Sequence, residues 1–393
     1  MTSAHSLDAI IIGGGINGAA SAFFLARAGL RCAVVERLPA LARLTTARSM
    51  EAMRAQFVEP ENVAMMRESI AFYQNFAVHT GLAGYDIGVH QQGYLFLTTD
   101  VDGPARFRQR VDLQHDLGLT DVELLSGDDV RRRFPYASAK EITAGTFRQR
   151  DGWLSAHEAC LGFARASGAA VVLNTTVTGF AMQGGRVAGV ETDRGPLAAP
   201  LVVIAAGPYS GRVASLAGVD LPLRIIRRQR VTIGQHPLIP QDAPMVIDQD
   251  TGAHWRPEKP GAALAWAQAH EPPGEPLDDV PANPHFVHEV LEGVYRLCPF
   301  WLNVAESLKR DQVYVQAGQY TVTPDDKPII GPHPEIAGLY FNTGYSGHGI
   351  MGAPGGGRLL ADLITGRSQD ADNAFSLRRL NSLATSHDRQ RLL

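Results

Sequence analysis

The sequence predicts a mixed α/β (α+β) chain of two interleaved domains: one built on a parallel sheet, the other antiparallel and β-rich. Three observations predict it. A short apolar strand near the start runs into a glycine-rich turn and a helix. A second apolar run, residues 201–205, ends on glycine in the same way far downstream. Between and after these runs, long stretches alternate like antiparallel strands and are broken by Pro-Gly turns.

Asp8 precedes Ala9, Ile10, Ile11 and Ile12, a β-branched run suited to a buried parallel strand. Gly13, Gly15 and Gly18 then fit G-x-G-x-x-G. Ala19, Phe23, Ala26 and Leu30 follow at helical spacing, and Gly29 marks the end of that helix. Cys32 to Val35 reads as a second buried strand that closes on Glu36. In such a unit Gly13 permits the tight turn and Gly15 lets a pyrophosphate approach the backbone. Gly18 lets helix and strand pack closely, and the helix N-terminus offers N–H groups to phosphate. Glu36, 23 residues after Gly13, is placed to accept from ribose hydroxyls, and its charge disfavours a 2′-phosphate. The unit is Rossmann-like and predicts a dinucleotide; by itself it does not separate FAD from NAD.

Composition narrows the classes. The 393 residues are 45% hydrophobic and 19% charged, enough for a sizeable core and for more than one domain. The formal charge of −4 provides no bulk positive field for nucleic acid or an anionic membrane. Lys140, Lys259, Lys309 and Lys327 are the only lysines, so arginine carries most of the basic charge. Cys32, Cys160 and Cys298 are far apart and form no C-x-x-C, which predicts buried thiols and neither a disulfide framework nor a zinc site. The histidines show no metal spacing, so no metal is expected. The N-terminus lacks a basic leader, and no apolar run reaches the ~20 residues of a membrane span. A cytoplasmic protein without a transmembrane segment is the expectation.

Residues 45–58 read as polar and small, then helical; Pro60 and Glu61 open a helix with Val63, Met66, Ile70 and Tyr73 on one face. From residue 86 the texture is that of a strand pair, and 104–135 reads as amphipathic helix. Ser155 with Glu158 forms a capping-box pattern for a helix to Ala166. Strands follow at 171–173, 177–182, 186–192 and 201–205. Residues 219–311 read as strands closed by one helix over 284–308. The C-terminal part carries a strand at 339–341, a glycine-rich stretch over 344–357 and a helix over 353–363. The predicted division is a nucleotide domain over 1–85, 147–218 and 312–393, with the β-rich domain over 86–146 and 219–311.

These residues resemble the FAD-dependent D-amino acid oxidase superfamily in its glycine and sarcosine oxidase branch, which also includes proline dehydrogenase β subunits. The resemblance rests on GGGINGAA with Glu36, SMEAMRAQF at 49–57, DGW and SAHE over 151–158, and LVVIAAGPYS at 201–210. It rests further on HWRPE at 254–258, TPDDKPIIG at 323–331 and GYSGHGIMGAPGGGRLLADL at 344–363. It implies a Rossmann-like FAD-binding domain interleaved with an antiparallel β-sheet substrate domain. It also implies oxidation of the C–N bond of a secondary or primary amine, of sarcosine, glycine or proline type, by hydride transfer to flavin N5.

The implied cofactor contacts are Gly13, Gly15, Ile16, Asn17, Gly18, Glu36 and Arg37, with Thr45, Thr46 and Ser49 as phosphate or ribityl donors. Val177 matches a strand position that pairs with adenine, and Ala206 and Gly207 match a close-approach element. Gly344, Gly347, His348, Gly349, Ile350 and Met351 belong to the loop and helix entry beside the flavin ring. His348 could tune that ring near neutral pH, or be a hydrogen-bonded structural histidine. Tyr320 and Trp255 could wall the pocket, or be core aromatics.

Arg54 matches an arginine that clamps the substrate carboxylate in monomeric sarcosine oxidases; its plain alternative is a solvated helix residue. Three departures follow. Met351 stands where those oxidases carry a second, lysine clamp. Ala265 matches the place of the lysine that speeds their reaction with O2, so poor use of oxygen is expected unless Arg228 or Arg256 supplies the charge. Gly318 stands at the position of the flavin-linking cysteine, so FAD is expected to be noncovalent. Partners are then a small amine or amino acid and an acceptor that is O2, a dye or a protein; a homo- or hetero-oligomer is compatible with the sequence. Two other classes remain open: an FAD-dependent hydroxy-acid or glycerol-phosphate dehydrogenase, and a non-catalytic flavoprotein assembly factor.

Overall fold

The computed structural model describes residues 6–267 and 271–380. Residues 1–5 of the stretch read for a leader, His270, and the end of the last predicted segment lie outside the described residues.

A six-stranded sheet organises the nucleotide domain. Its order is Ile329–Pro332, Leu339–Thr343, Leu201–Ile204, Ala9–Ile12, Cys32–Val35 and Ala170–Val172. All pairings are parallel except the one made by Ile329–Pro332. Ala9–Ile12 is central and fully buried, which is why the run has no polar member. Its alternating side chains serve two cores. Ala9 and Ile11 pack with the helix layer. Ile10 and Ile12 pack with Val177, Val187 and Val190 of a three-stranded antiparallel sheet.

In the helix layer, Ile16–Arg27 lies against Ala156–Ser167 and Gly349–Ile364. The glycine run of the last helix follows from crowding. A Cβ at Gly357 would meet the backbone of Ala20 at 3.1 Å, at Gly355 the carbonyl of Met65 at 3.0 Å, and at Gly356 the hydroxyl of Tyr345 at 2.0 Å. Ser155 caps its helix as predicted, accepting from the Glu158 N–H at 3.2 Å, while the Glu158 carboxylate accepts from the Tyr85 hydroxyl.

The second domain is a nine-stranded, largely antiparallel sheet. One face, with Trp255 and Leu264, is covered by helices Phe286–Tyr295 and Phe300–Ser307. The other carries Tyr94, Phe96, Ala263 and Ala265 and packs on Met50, Ala52 and Trp153.

Five expectations need correction. Residues 49–58 are not helical: Ala52–Met53 is extended and pairs with Gly152–Trp153, because tertiary pairing overrides the local helix preference. The predicted helix over 104–135 is two, Gly103–Asp116 and Gly127–Arg133, with strand Glu123–Ser126 between them. The helix over 284–308 breaks at Pro299, which lacks the N–H needed to continue it. The last helix begins at Gly349, so Gly349, Ile350 and Met351 are helical. Finally, Val313–Val322, assigned above to the nucleotide domain, pairs along its length with Arg224–Ile233 of the large sheet.

Candidate active site

A cavity of about 460 Å³ runs along the C-terminal ends of the parallel strands, the usual ligand face of such sheets. Gly13, Gly15, Ile16 and Asn17 line it, with Glu36, Arg37, Thr45, Thr46, Ser49, Val177, Ala206 and Gly207. At its far end stand Tyr320, Gly344, Gly347, Gly349 and Ile350.

At the near end Gly13 has φ +111°, and a Cβ there would lie 2.5 Å from the Ala205 carbonyl oxygen. Gly18 does not line the cavity. A Cβ on it would lie 1.9 Å from the Gly13 carbonyl oxygen, so Gly18 sets how closely helix and strand approach. A Cβ at Gly15 would meet only Thr46 Oγ1, at 3.4 Å. Glu36 is fixed by two backbone donors, Gly14 N–H at 2.7 Å and Leu38 N–H at 2.9 Å. Thr46 Oγ1 accepts from Ile16 N–H, and Thr45 donates to the Gln319 carbonyl. Asn17 Oδ1 is buried and has no hydrogen-bond partner, a cost relieved when a ligand donates to it.

Sequence spacing gave no sign of Asp278. It binds Arg37, whose guanidinium lies 4.1 Å from the Tyr209 ring centroid, and it accepts from the Tyr209 hydroxyl at 2.6 Å. The Arg37 bond holds the Asp278 carboxyl below its ordinary range.

At the far end the loop turns through Gly344 at φ +73°, Ser346 at +49° and Gly347 at +94°. Ser346 N–H donates to the Thr321 carbonyl, and His348 then begins the helix that starts at Gly349. The first-turn N–H groups of that helix therefore open towards the cavity with the positive end of its dipole. A Cβ at Gly347 would fall 2.5 Å from the Tyr320 ring, so glycine is needed where loop and ring meet.

His348 packs edge-on against Phe57, ring centroids 5.1 Å apart. Burial, with the nearby Arg54 charge, pulls its pKa down to about 3. It therefore stays neutral at physiological pH and does not titrate there, which corrects the expectation of a near-neutral switch.

Arg54 is not a solvated helix residue. It is half-buried in the irregular segment after Met53, with its guanidinium 3.9 Å from the Phe57 centroid and Nη1 donating to the Gln56 carbonyl at 2.6 Å. Buried Asp151 holds this segment by accepting from Ala55 N–H at 3.0 Å and Gln56 Nε2 at 3.1 Å. Arg148 neutralises that carboxylate. Arg110, from the helix Gly103–Asp116, donates to the same Gln56 carbonyl at 3.1 Å. Sequence reasoning missed it, since a basic residue on an amphipathic helix reads as a solvated one.

Trp255 and Met351 stand away from this group. Trp255 is buried among Tyr136, Phe300 and Trp301 on the opposite face of the large sheet. Met351 packs in the core of the helix layer. A recess beside Tyr320 contains Ala265, Gly318, His254 and Arg228. The Arg228 guanidinium lies 5.7 Å from the Tyr320 centroid and donates to the Arg227 carbonyl. Arg256 is bound to Glu51 at 3.0 Å and to Glu258 at 3.1 Å. The three cysteines are buried, which pushes each thiol up to about 12 and leaves it protonated. Among the described residues no metal-ligating cluster occurs, and no helix is long and apolar enough to cross a membrane.

The residues present fit FAD: a glycine cradle at a helix start, a fixed carboxylate at the ribose position, an orphaned Asn17 oxygen, and a second helix start at the ring end. Fold and site together define a two-domain flavoprotein. The sequence pattern of the DAO family, FAD dependent oxidoreductase, matches residues 8–363, and the chain belongs to that family. It is 28% identical over 420 residues to FAD-dependent oxidoreductase domain-containing protein 1 of Xenopus laevis, covering 96% of this chain and 81% of the relative. Mitochondrial sarcosine dehydrogenase of Homo sapiens is 28% identical over 411 residues, covering 97% of this chain; the chain spans 42% of that protein's length. Among solved structures, L-proline dehydrogenase from P. horikoshii superposes with a TM-score of 0.85 at 26% identity, covering 96% of this chain and 98% of that one.

Proposed function

We propose that the protein oxidises the C–N bond of an amine that carries a carboxylate, an amino acid of sarcosine, glycine or proline type. The observation that carries this reading is Arg54, a half-buried guanidinium with no carboxylate in salt-bridge range among the described residues, beside the loop that meets the FAD cavity. The likeness to sarcosine dehydrogenase and L-proline dehydrogenase supports it.

When bound in the cavity lined by Gly13, Glu36, Thr46 and Tyr320, FAD would supply the hydride acceptor. Arg54 would hold the substrate carboxylate in a charge-assisted pair and so orient the α-carbon. Phe57, Phe96 and Tyr320 would keep water from the reacting C–H bond. Arg54 and Arg110 would also disfavour an ammonium ion beside them, so the substrate nitrogen loses its proton to solvent on entry. Neutral His348 adds no opposing charge. The freed lone pair then assists loss of hydride from carbon, and the imine hydrolyses in water. Anaerobic addition of such an amine should bleach the bound flavin.

The reading includes noncovalent FAD, because Gly318 offers no thiol and the cysteines are buried elsewhere. Acid precipitation should leave the yellow colour in the supernatant; colour retained in the denatured pellet would refute this.

It also includes an acceptor other than O2. Ala265 presents only a methyl group in the recess by Tyr320, and Arg256 is already neutralised by carboxylates. The reduced protein should therefore pass electrons to a dye faster than to dissolved oxygen. Stopped-flow reoxidation decides. Fast reoxidation in air that Arg228→Gln slows would make Arg228 the oxygen-activating cation and the protein an oxidase.

A further inference from the structure

Arg54, just after Met53, and Arg110, on the helix Gly103–Asp116, converge on one acceptor, the Gln56 carbonyl oxygen, at 2.6 and 3.1 Å. Both also flank one ring: their guanidinium carbons lie 5.5 and 5.1 Å from the Phe96 centroid. Among the described residues the arginines buried outright are matched by acid, whereas Arg228, half-buried like Arg54 and Arg110, has no carboxylate in salt-bridge range either. Arg148 sits 2.6 Å from Asp151, Arg230 binds Glu258, and Arg256 lies 3.0 Å from Glu51. Among the described residues no carboxylate lies in salt-bridge range of Arg54 or Arg110; Glu59 acts on both and Asp151 on Arg54, each from further away. Burial and the Arg54 charge bring Arg110 down to about 10, so the two cations raise each other's cost.

A partly desolvated pair of like charges is costly unless a ligand balances it. Glu59 acts on both guanidiniums only from beyond salt-bridge range, so each keeps an unmatched charge at its own donors. Arg110 has already given Nη1 to Gln249 at 3.1 Å and Nη2 to Gln56, and Arg54 has given one donor to Gln56. Each keeps donors for an anion of its own.

We propose that the substrate is an amine dicarboxylate, with one carboxylate held by Arg54 and the second by Arg110. This rests on the amine-oxidation reading, and it adds Arg110 as the residue that sets specificity for a second anionic group.

Redox-inert thioethers test binding apart from turnover. Thiodiacetate has two carboxylates and methylthioacetate has one. Titrated into the FAD-loaded protein and followed by the flavin absorbance, thiodiacetate should bind about tenfold more tightly or better. Arg110→Gln should collapse that ratio towards one, and Arg110→Lys, which keeps the charge, should restore part of it. Equal affinities in the unsubstituted protein would overturn the proposal. So would an Arg110→Gln variant that weakens both ligands equally, since the two arginines would then grip a single carboxylate. A tight, Arg110-dependent diacid with no flavin bleaching by any amine would refute amine oxidation instead and leave the two-anion site standing.

Discussion

Arg54→Ala should raise the half-saturating concentration of a carboxylate substrate by roughly 10- to 150-fold. Loss of a charge-assisted pair in a partly desolvated pocket costs about 1.5–3 kcal/mol, which sets that range. The bound flavin should remain, because Arg54 touches Phe57, Phe96 and Gln56 and does not line the cofactor cavity. Steady-state kinetics with a dye acceptor, together with the flavin-to-protein ratio, separate these effects. An unchanged half-saturation with flavin retained would remove Arg54 from the substrate site.

Gly18→Ala and Gly15→Ala should fail differently. At Gly18 the added methyl meets the Gly13 carbonyl oxygen at 1.9 Å and its carbon at 3.1 Å. Both are backbone atoms, so the first helix must lift from the central strand. Overpacking of this kind costs about 1–3 kcal/mol, against which the better helix propensity of alanine recovers up to about 1 kcal/mol. Gly18→Ala should lower the urea midpoint of the apoprotein and abolish FAD retention. At Gly15 the backbone is extended, φ −79°, and the methyl meets only Thr46 Oγ1. Gly15→Ala should leave the apoprotein midpoint in place but weaken FAD, because the methyl takes space needed for the close approach of the pyrophosphate. Full FAD retention by Gly15→Ala would contradict the assignment of the cradle.

The nucleotide half of the site was legible because its determinants are local. Strand, glycines, helix and Glu36 follow one another within a single supersecondary unit, and the two core faces of Ala9–Ile12 follow from side-chain alternation. The substrate half depends on distant parts of the chain. Residues 54–57 are irregular rather than helical because Asp151, nearly a hundred residues later, binds Ala55 and Gln56; their local helix preference points the other way. Of the two roles open for Trp255, strand parity selects the core aromatic. Its neighbours His254 and Arg256 point to the side that holds the recess, while Trp255 points under the helices. Arg110 shows no signal at all in sequence, because only the packing of its helix on residues 56–57 turns it inward. The charge state of His348 is set by burial against Phe57 and by Arg54, neither of which is adjacent in sequence.

The most direct test is anaerobic mixing of the FAD-loaded protein with a panel of small substrates, read as loss of the oxidised-flavin absorbance. The panel holds sarcosine, proline, dimethylglycine, glycine, D-amino acids and N-carboxyalkyl amino acids, set against 2-hydroxy acids and glycerol 3-phosphate. The account predicts bleaching by at least one amine carboxylate and none by the alcohols. Bleaching by a hydroxy acid or glycerol phosphate alone, or by no member of the panel, would contradict it.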